Sequence, residues 1–168
     1  MTARTPSDII RDPVHRSRYA FSKDGENMTV ETWIEPGGGL PPHYHPAQEE
    51  RWSVLEGRIR IQLGDSKRVI GPEDGELLVT PGTKHGFASV EDADAHLRCY
   101  VTPALGLEDF LTESAAAARE GLFLRGGIPR SWRGARWAAD FLKRYQDDVV
   151  LTFPPRFVQR ALIGLLAR

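Results

Sequence analysis

The chain changes its hydrophobic period once, near Pro103, and no other feature of the sequence constrains the fold as strongly. From about Arg18 to Thr102, short segments rich in β-branched and aromatic residues alternate with turn clusters. The segments are Met28–Glu35, Arg51–Leu55, Arg58–Leu63, Leu77–Thr80 and His96–Thr102, and the turns fall at Lys23 to Gly25, Pro36 to Gly39, Gly64-Asp65, Pro72 to Gly75 and Glu91 to Asp94. Within one segment Ile59, Ile61 and Leu63 alternate with Arg58, Arg60 and Gln62, which gives a strand with one apolar face. Several short strands at this spacing predict an all-β sandwich or barrel. The first fifteen or so residues lack periodicity and read as a surface arm.

After Pro103 the apolar residues follow a helical period. Three stripes emerge: Leu107, Phe110, Leu111, Ala115, Ala118 and Leu122; then Trp137, Ala138, Phe141, Leu142 and Tyr145; then Phe157, Val158, Ala161, Leu162, Leu165 and Leu166. Pro154 and Pro155 sit at the start of the last stripe, where a missing N–H costs least. Charge divides along similar lines, with −7 over residues 1–118 and +6 over 119–168, for a net charge of −1. A basic helical tail suits an anionic partner, a membrane surface or nucleic acid. Each stripe, however, needs covering, so the reading adopted is a tail folded back on the acidic barrel, its own or a neighbour's. The near-neutral total gives no general pull toward nucleic acid or membrane. The single cysteine, Cys99, excludes an intramolecular disulfide and reads as a core thiol. With no secretory h-region and no apolar run long enough to span a bilayer, the expectation is a soluble cytoplasmic protein.

Chemistry concentrates between Gly37 and Phe87. His43 and His45 are two residues apart, so on a strand both imidazoles share one face and form a natural metal pair. Glu50 can add an anionic oxygen, and His85 a third imidazole. Three nitrogens and one oxygen leave two exchangeable positions in an octahedron. His15 and His96 stand apart and read as ordinary structural histidines. If Glu50 points inward, alternation carries Trp52 and Val54 inward too, and His85 does the same for Phe87. These three side chains would make an apolar, aromatic substrate pocket, or they are simply barrel core; both readings stand. Tyr44, between the two histidines, should face away. No G-x-S-x-G, phosphate loop or zinc-finger cysteine pair is present.

Taken together, these spacings resemble the cupin superfamily. The first cupin motif, G-x5-H-x-H-x3,4-E-x6-G, is matched at every fixed position by Gly37, His43, His45, Glu50 and Gly57. The x6 spacing to Gly57 selects Glu50 over Glu49 as the motif carboxylate. The second motif, G-x5-P-x-G-x2-H-x3-N, is matched at Gly82 and His85; Thr80 replaces its proline, Pro81 follows one place late, Gly75 is one place late and Ser89 replaces asparagine. The motifs cover residues 37–89, and the flanking strand pattern extends the resemblance to about 15–103.

The resemblance implies a jelly-roll, or double-stranded β-helix, barrel over residues 1–103 with a C-terminal α-helical extension over 104–168. It implies a divalent metal (Fe, Mn, Ni, Cu, Co or Zn) held by His43, His45, Glu50 and His85. The whole chain looks like the small single-domain cupins of bacteria. The leading function is a cupin dioxygenase acting on an apolar, oxygen-bearing small molecule, with Glu50 as the catalytic base, as in flavonol-cleaving relatives. The alternatives are a metal-assisted cyclase, isomerase or decarboxylase, and a binding module without turnover. Paired barrels and the apolar helices lead to the expectation of a homodimer.

Overall fold

The structure, a computed structural model, describes residues 9–90 and 93–167. Residues 1–8 of the expected arm, Glu91 and Asp92 of an expected turn, and Arg168 lie outside the described residues. The barrel is built from β1 (Ile10–Asp12), β2 (Ser17–Asp24), β3 (Asn27–Ile34), β4 (Gly39–Tyr44), β5 (Glu49–Glu56), β6 (Ile59–Leu63), β7 (Ser66–Ile70), β8 (Leu77–Val79), β9 (His85–Ser89) and β10 (Ala95–Thr102). Beyond it come α1 (Leu107–Arg119), a hairpin of β11 (Phe123–Leu124) and β12 (Ile128–Pro129), α2 (Trp132–Tyr145), β13 (Val150–Leu151) and α3 (Arg156–Leu166).

Two antiparallel sheets face each other in a jelly roll. One has the order β1-β2-β3-β10-β5-β8 and the other β13-β4-β9-β6-β7. Strand periodicity explains the core between them. Every second residue of β3 is buried (Met28, Val30, Thr32, Ile34), as are Ala95, Leu97, Cys99 and Val101 in β10. Ile59, Ile61 and Phe87 enter from the opposite sheet. Cys99 is 1% exposed, and burial, reinforced by the Glu50 charge, pushes its thiol well above the ordinary range.

Part of the expected arm is structured. Ile10–Asp12 pairs with β2, and the buried Asp12 carboxylate accepts the Val14 and His15 amides and lies 2.7 Å from His15 Nδ1. The helical stripes of α1 and α2 pack broadly as their periods require. Leu107, Leu111, Ala115 and Ala118 are buried, and Phe110 meets Phe141 and Tyr145 with ring centroids 4.8 and 5.5 Å apart. Ser131 caps α2 by accepting the Gly134 amide. The stripe expected to dock α3 is a correction. Phe157 and Leu165 are 75% and 78% exposed, whereas Gln159 and Leu166 are buried. The face is set by Gln159, whose amide donates to the Leu151 and Pro154 carbonyls at 2.8 and 2.6 Å and so rotates the apolar stripe outward. Among the described residues no helix is long and apolar enough to cross a membrane.

Candidate metal centre

His43 and His85 come from one sheet, His45 from the residue just beyond its strand β4, and the carboxylate from the other sheet. His43 lies in β4 directly opposite His85 in β9, and their ring centroids are 4.3 Å apart. His45 follows β4 by one residue, and its ring meets His43 edge-on at 5.0 Å. One nitrogen from each of the three rings lies within 4.8 Å of the others. Glu50 projects from β5, between its neighbours β8 and β10, into the same space. All four side chains are buried, and His43 is the most exposed at 8%.

Backbone carbonyls determine which nitrogen faces the centre. His43 Nδ1 lies 2.8 Å from the Pro41 carbonyl, His45 Nδ1 2.9 Å from that of Asp148, and His85 Nδ1 3.0 Å from that of Thr83. A carbonyl only accepts, so each Nδ1 carries a proton, and Nε2 is the nitrogen of each ring that can offer a lone pair to the centre. There Glu50 Oε1 is 3.2 Å from His45 Nε2, and Oε2 is 2.9 Å from His85 Nε2. Both Nε2 atoms are buried without a hydrogen-bond partner. Lone pairs facing a carboxylate across such distances repel unless a cation or proton lies among them. Nitrogen-rich ligation with one hard oxygen suits a divalent transition metal, so the donor set fits the group the fold implies.

The electrostatics agree with a centre made for positive charge. Burial, then the neighbouring His85 and His45, depress His43 to about 3. For Glu50 burial pushes upward but is outweighed by His45 and His85, which leave the carboxyl well below its usual range and therefore ionised. For His45 burial pulls downward and the Glu50 carboxylate overcomes it, so the net shift is upward.

The other expected site residues separate into distinct places. Trp52 is buried beside the centre, where its indole N–H donates to Glu50 Oε2 at 2.8 Å and its ring meets Phe87 at 5.1 Å. Val54 lies two residues further along β5 and is 5% exposed. Glu49 points away and pairs with Arg51 at 2.9 Å, and Tyr44 is half-buried on the β13 side. His15 pairs with Asp12, and His96 pairs with Glu31 at 2.7 Å while stacking on Trp33. A groove of about 400 Å³ runs over the outer face of the β4-β9-β6-β7 sheet, bordered by His15, Leu40, Arg60, Lys67 and Arg125. Of the three expected pocket residues only Phe87 borders it, and none of the four centre residues does.

The departures from the second motif preserve the turn before His85. Pro81 and Gly82 occupy the central positions, Gly82 has φ of 78°, and the Thr83 amide closes onto the Thr80 carbonyl at 3.1 Å. That is the residue order a type II turn requires, so the proline works one place later than the motif puts it. Ser89 accepts the Gly37 amide through its hydroxyl at 2.7 Å and ties the two motifs together.

Two contributors escaped the sequence reading. Trp52 serves as a donor to Glu50, and the Asp148 carbonyl, 103 residues from His45, holds that ring. The first could have been found from Trp52 two residues after Glu50 on the same strand face. The second had no local signal.

Residues 30–102 match the family model described as a cupin domain. An oxidoreductase of Arthrobotrys oligospora is 38% identical over 31% of this chain and 21% of its own length. The polyketide synthase CurC of Streptomyces cyaneus is 30% identical over 42% of this chain and 45% of its own. The chain thus spans less than half the length of these curated relatives. Among solved structures, an RmlC-like cupin from Shewanella frigidimarina superposes with a TM-score of 0.53 at 22% identity, covering 64% of this chain and 93% of that one.

Proposed function

We propose, from the match of residues 30–102 to the cupin domain, that the chain is a metal-dependent cupin enzyme acting on a small organic molecule, with oxidation by dioxygen as its reaction. One observation carries the proposal: three inward Nε2 lone pairs, each fixed by a carbonyl behind it, converge with the Glu50 carboxylate in a buried space. His43, His45, His85 and Glu50 would hold the ion. When bound, the metal supplies Lewis acidity and, as iron, copper or manganese, a one-electron couple.

The protein's own groups do the rest. Pro41, Asp148 and Thr83 keep the rings oriented. Trp52 pins Glu50 Oε2 through its N–H and leaves Oε1 as the more basic oxygen, the atom at which a substrate proton would be taken up. Trp52, Val54 and Phe87 make the interior beside Glu50 apolar, which suits a substrate with an aromatic or aliphatic body and an enolate, phenolate or carboxylate head. The oxidoreductase name of the Arthrobotrys relative supports this order of readings.

A second reading, prompted by a relative whose name is polyketide synthase, is a metal-assisted cyclisation without oxygen, in which the metal would only polarise a carbonyl. The two separate in one assay. A ligand identified by thermal shift is incubated with the iron, manganese and zinc forms, with and without air. An oxygenase consumes dioxygen and fails with zinc, a cyclase works anaerobically, and unaltered ligand throughout would leave a binding module. We also propose a homodimer, supported by the outward apolar face of Phe153, Phe157 and Leu165.

A further inference from the structure

His43 and His85 take their Nδ1 acceptors from two residues earlier on their own stretch of chain, Pro41 and Thr83. His45 takes its acceptor from Asp148, in the C-terminal extension. Asp148 is held from several sides. Its amide and that of Val149 donate to the Tyr145 carbonyl at 3.0 and 2.9 Å, which roots the segment on the end of α2. β13 then pairs with β4, Val150 opposite Tyr44 and Leu151 opposite His43. Thr152 closes the segment, donating both its amide and its hydroxyl to the Pro42 carbonyl at 3.1 and 2.8 Å. Gln159 of α3 holds the Leu151 carbonyl from the far side at 2.8 Å.

We propose that residues 148–152 are a positioning element of the metal centre, and that docking of the C-terminal extension and metal occupancy are coupled. The inference rests on the reading of the three histidines as metal ligands. Its physical basis is a choice between two tautomers of His45. With the Asp148 carbonyl in place, the proton stays on Nδ1 and Nε2 offers a lone pair. With the carbonyl withdrawn, a buried Nδ1–H loses its acceptor. Moving the proton to Nε2 would then let that nitrogen donate to Glu50 Oε1, 3.2 Å away. That change would remove the His45 lone pair from the centre and tie up one Glu50 oxygen, so a cation would lose a ligand there. The extension therefore holds the centre in its metal-accepting state, and by reciprocity a bound ion should hold the extension down.

The test uses the full chain and Zn²⁺, which is redox-silent. In the wild type, hydrogen exchange at residues 148–152 is followed with and without Zn²⁺. Exchange should slow by about tenfold on metal binding, the size expected of an outer-shell partner, and by more than in β1, which β2, β3 and β10 separate from β5 in its sheet. In parallel, Thr152→Val and Gln159→Leu are combined. The double variant should exchange faster at 148–152, bind Zn²⁺ about tenfold more weakly with unchanged stoichiometry, and shift the metal-free His45 ring toward the Nε2–H tautomer in its ¹⁵N spectrum. The shift should be confined to His45, whereas general loosening would release His43 and His85 from their carbonyls and move them toward the Nε2–H tautomer as well. If wild-type protein takes up no Zn²⁺, the metal reading itself fails. If it takes up one equivalent while exchange at 148–152 is unchanged, the coupling is overturned and the metal reading survives. Should the variant misfold, the wild-type comparison decides alone.

Discussion

Replacing Trp52 by Phe should weaken metal binding by about tenfold to a hundredfold, the range for outer-shell partners of ligands, or roughly 1.4–2.7 kcal/mol. The indole N–H donates at 2.8 Å to Glu50 Oε2 in a buried setting, and Phe keeps a ring against Phe87 while removing that donor. The substitution also leaves a void where the second ring lay. That cost, with the lost hydrogen bond to a charged group, should lower the unfolding free energy of metal-free protein by about 2–4 kcal/mol. The void is common to the metal-free and metal-bound proteins and largely cancels in affinity, so the affinity loss reports on the hydrogen bond. Phe87→Leu is the control. It should cost about 1–2 kcal/mol of stability and leave affinity within about threefold, because Phe87 packs on the indole and has no donor to offer the carboxylate. Affinity is read by chelator competition and stability by urea unfolding. If Trp52→Phe binds as tightly as wild type, or if both variants lose affinity equally, Trp52 is packing alone and its role in orienting Glu50 is wrong.

Glu50→Gln should reduce affinity by at least tenfold, whereas Glu49→Gln, which alters only an exposed pair with Arg51, should leave it nearly unchanged; chelator competition that reverses this ranking would move the carboxylate ligand by one residue. Metal-free protein should lose stability as pH falls from about 6.5 toward 3. His43 is depressed from 6.5 to about 3, so the unfolded chain binds more protons there, and Glu50, depressed below 4.5, adds to the loss at the acid end. His45, raised by Glu50, works in the opposite sense and loses its contribution as pH rises through its folded value; urea unfolding that finds greater stability at pH 4 than at pH 6 would refute the neutral buried His43. Gly57→Ala should destabilise by about 2–4 kcal/mol, since at φ of 74° its added Cβ would collide with the Asp94 carbonyl oxygen. Gly82→Ala, equally left-handed at 78° with open space around it, should cost about 1 kcal/mol in the same measurement. Phe157→Ser with Leu165→Ser should abolish a homodimer without lowering the thermal midpoint by more than a few degrees; light scattering that shows a strict monomer in the wild type would remove the dimer.

The convergence of the three histidines and Glu50 was legible because most of the spacing that brings them together is written locally. His43 lies in β4 and His45, two residues on, lies just past its end, and Glu50 is only five residues from His45. β4 itself was not legible as a strand, because Pro41 and Pro42 cannot donate to a ladder; its pairing with β9 is interrupted between Leu40 and His43, where they lie. β7 was missed because four of its five residues are exposed, so no apolar alternation marks it. The stripe of α3 was legible as a helix but not as to which face is covered. Period gives a face, while the buried amide of Gln159 chose the docking side by satisfying two backbone carbonyls. The Asp148 contact was invisible for a different reason: it is a backbone carbonyl brought from 103 residues away by a two-residue strand, and no side-chain pattern records it.

The central claim is that the three inward imidazoles bind one metal ion. The direct measurement is metal content per chain, by elemental analysis, for protein purified without added metal and then titrated with Zn²⁺, in wild type and in His43→Ala with His45→Ala. The wild type should reach one ion per chain, and the double variant should fall well below one-tenth of that occupancy at the same free metal. Full stoichiometric retention by the double variant, or a wild type that takes up no ion, would contradict the account.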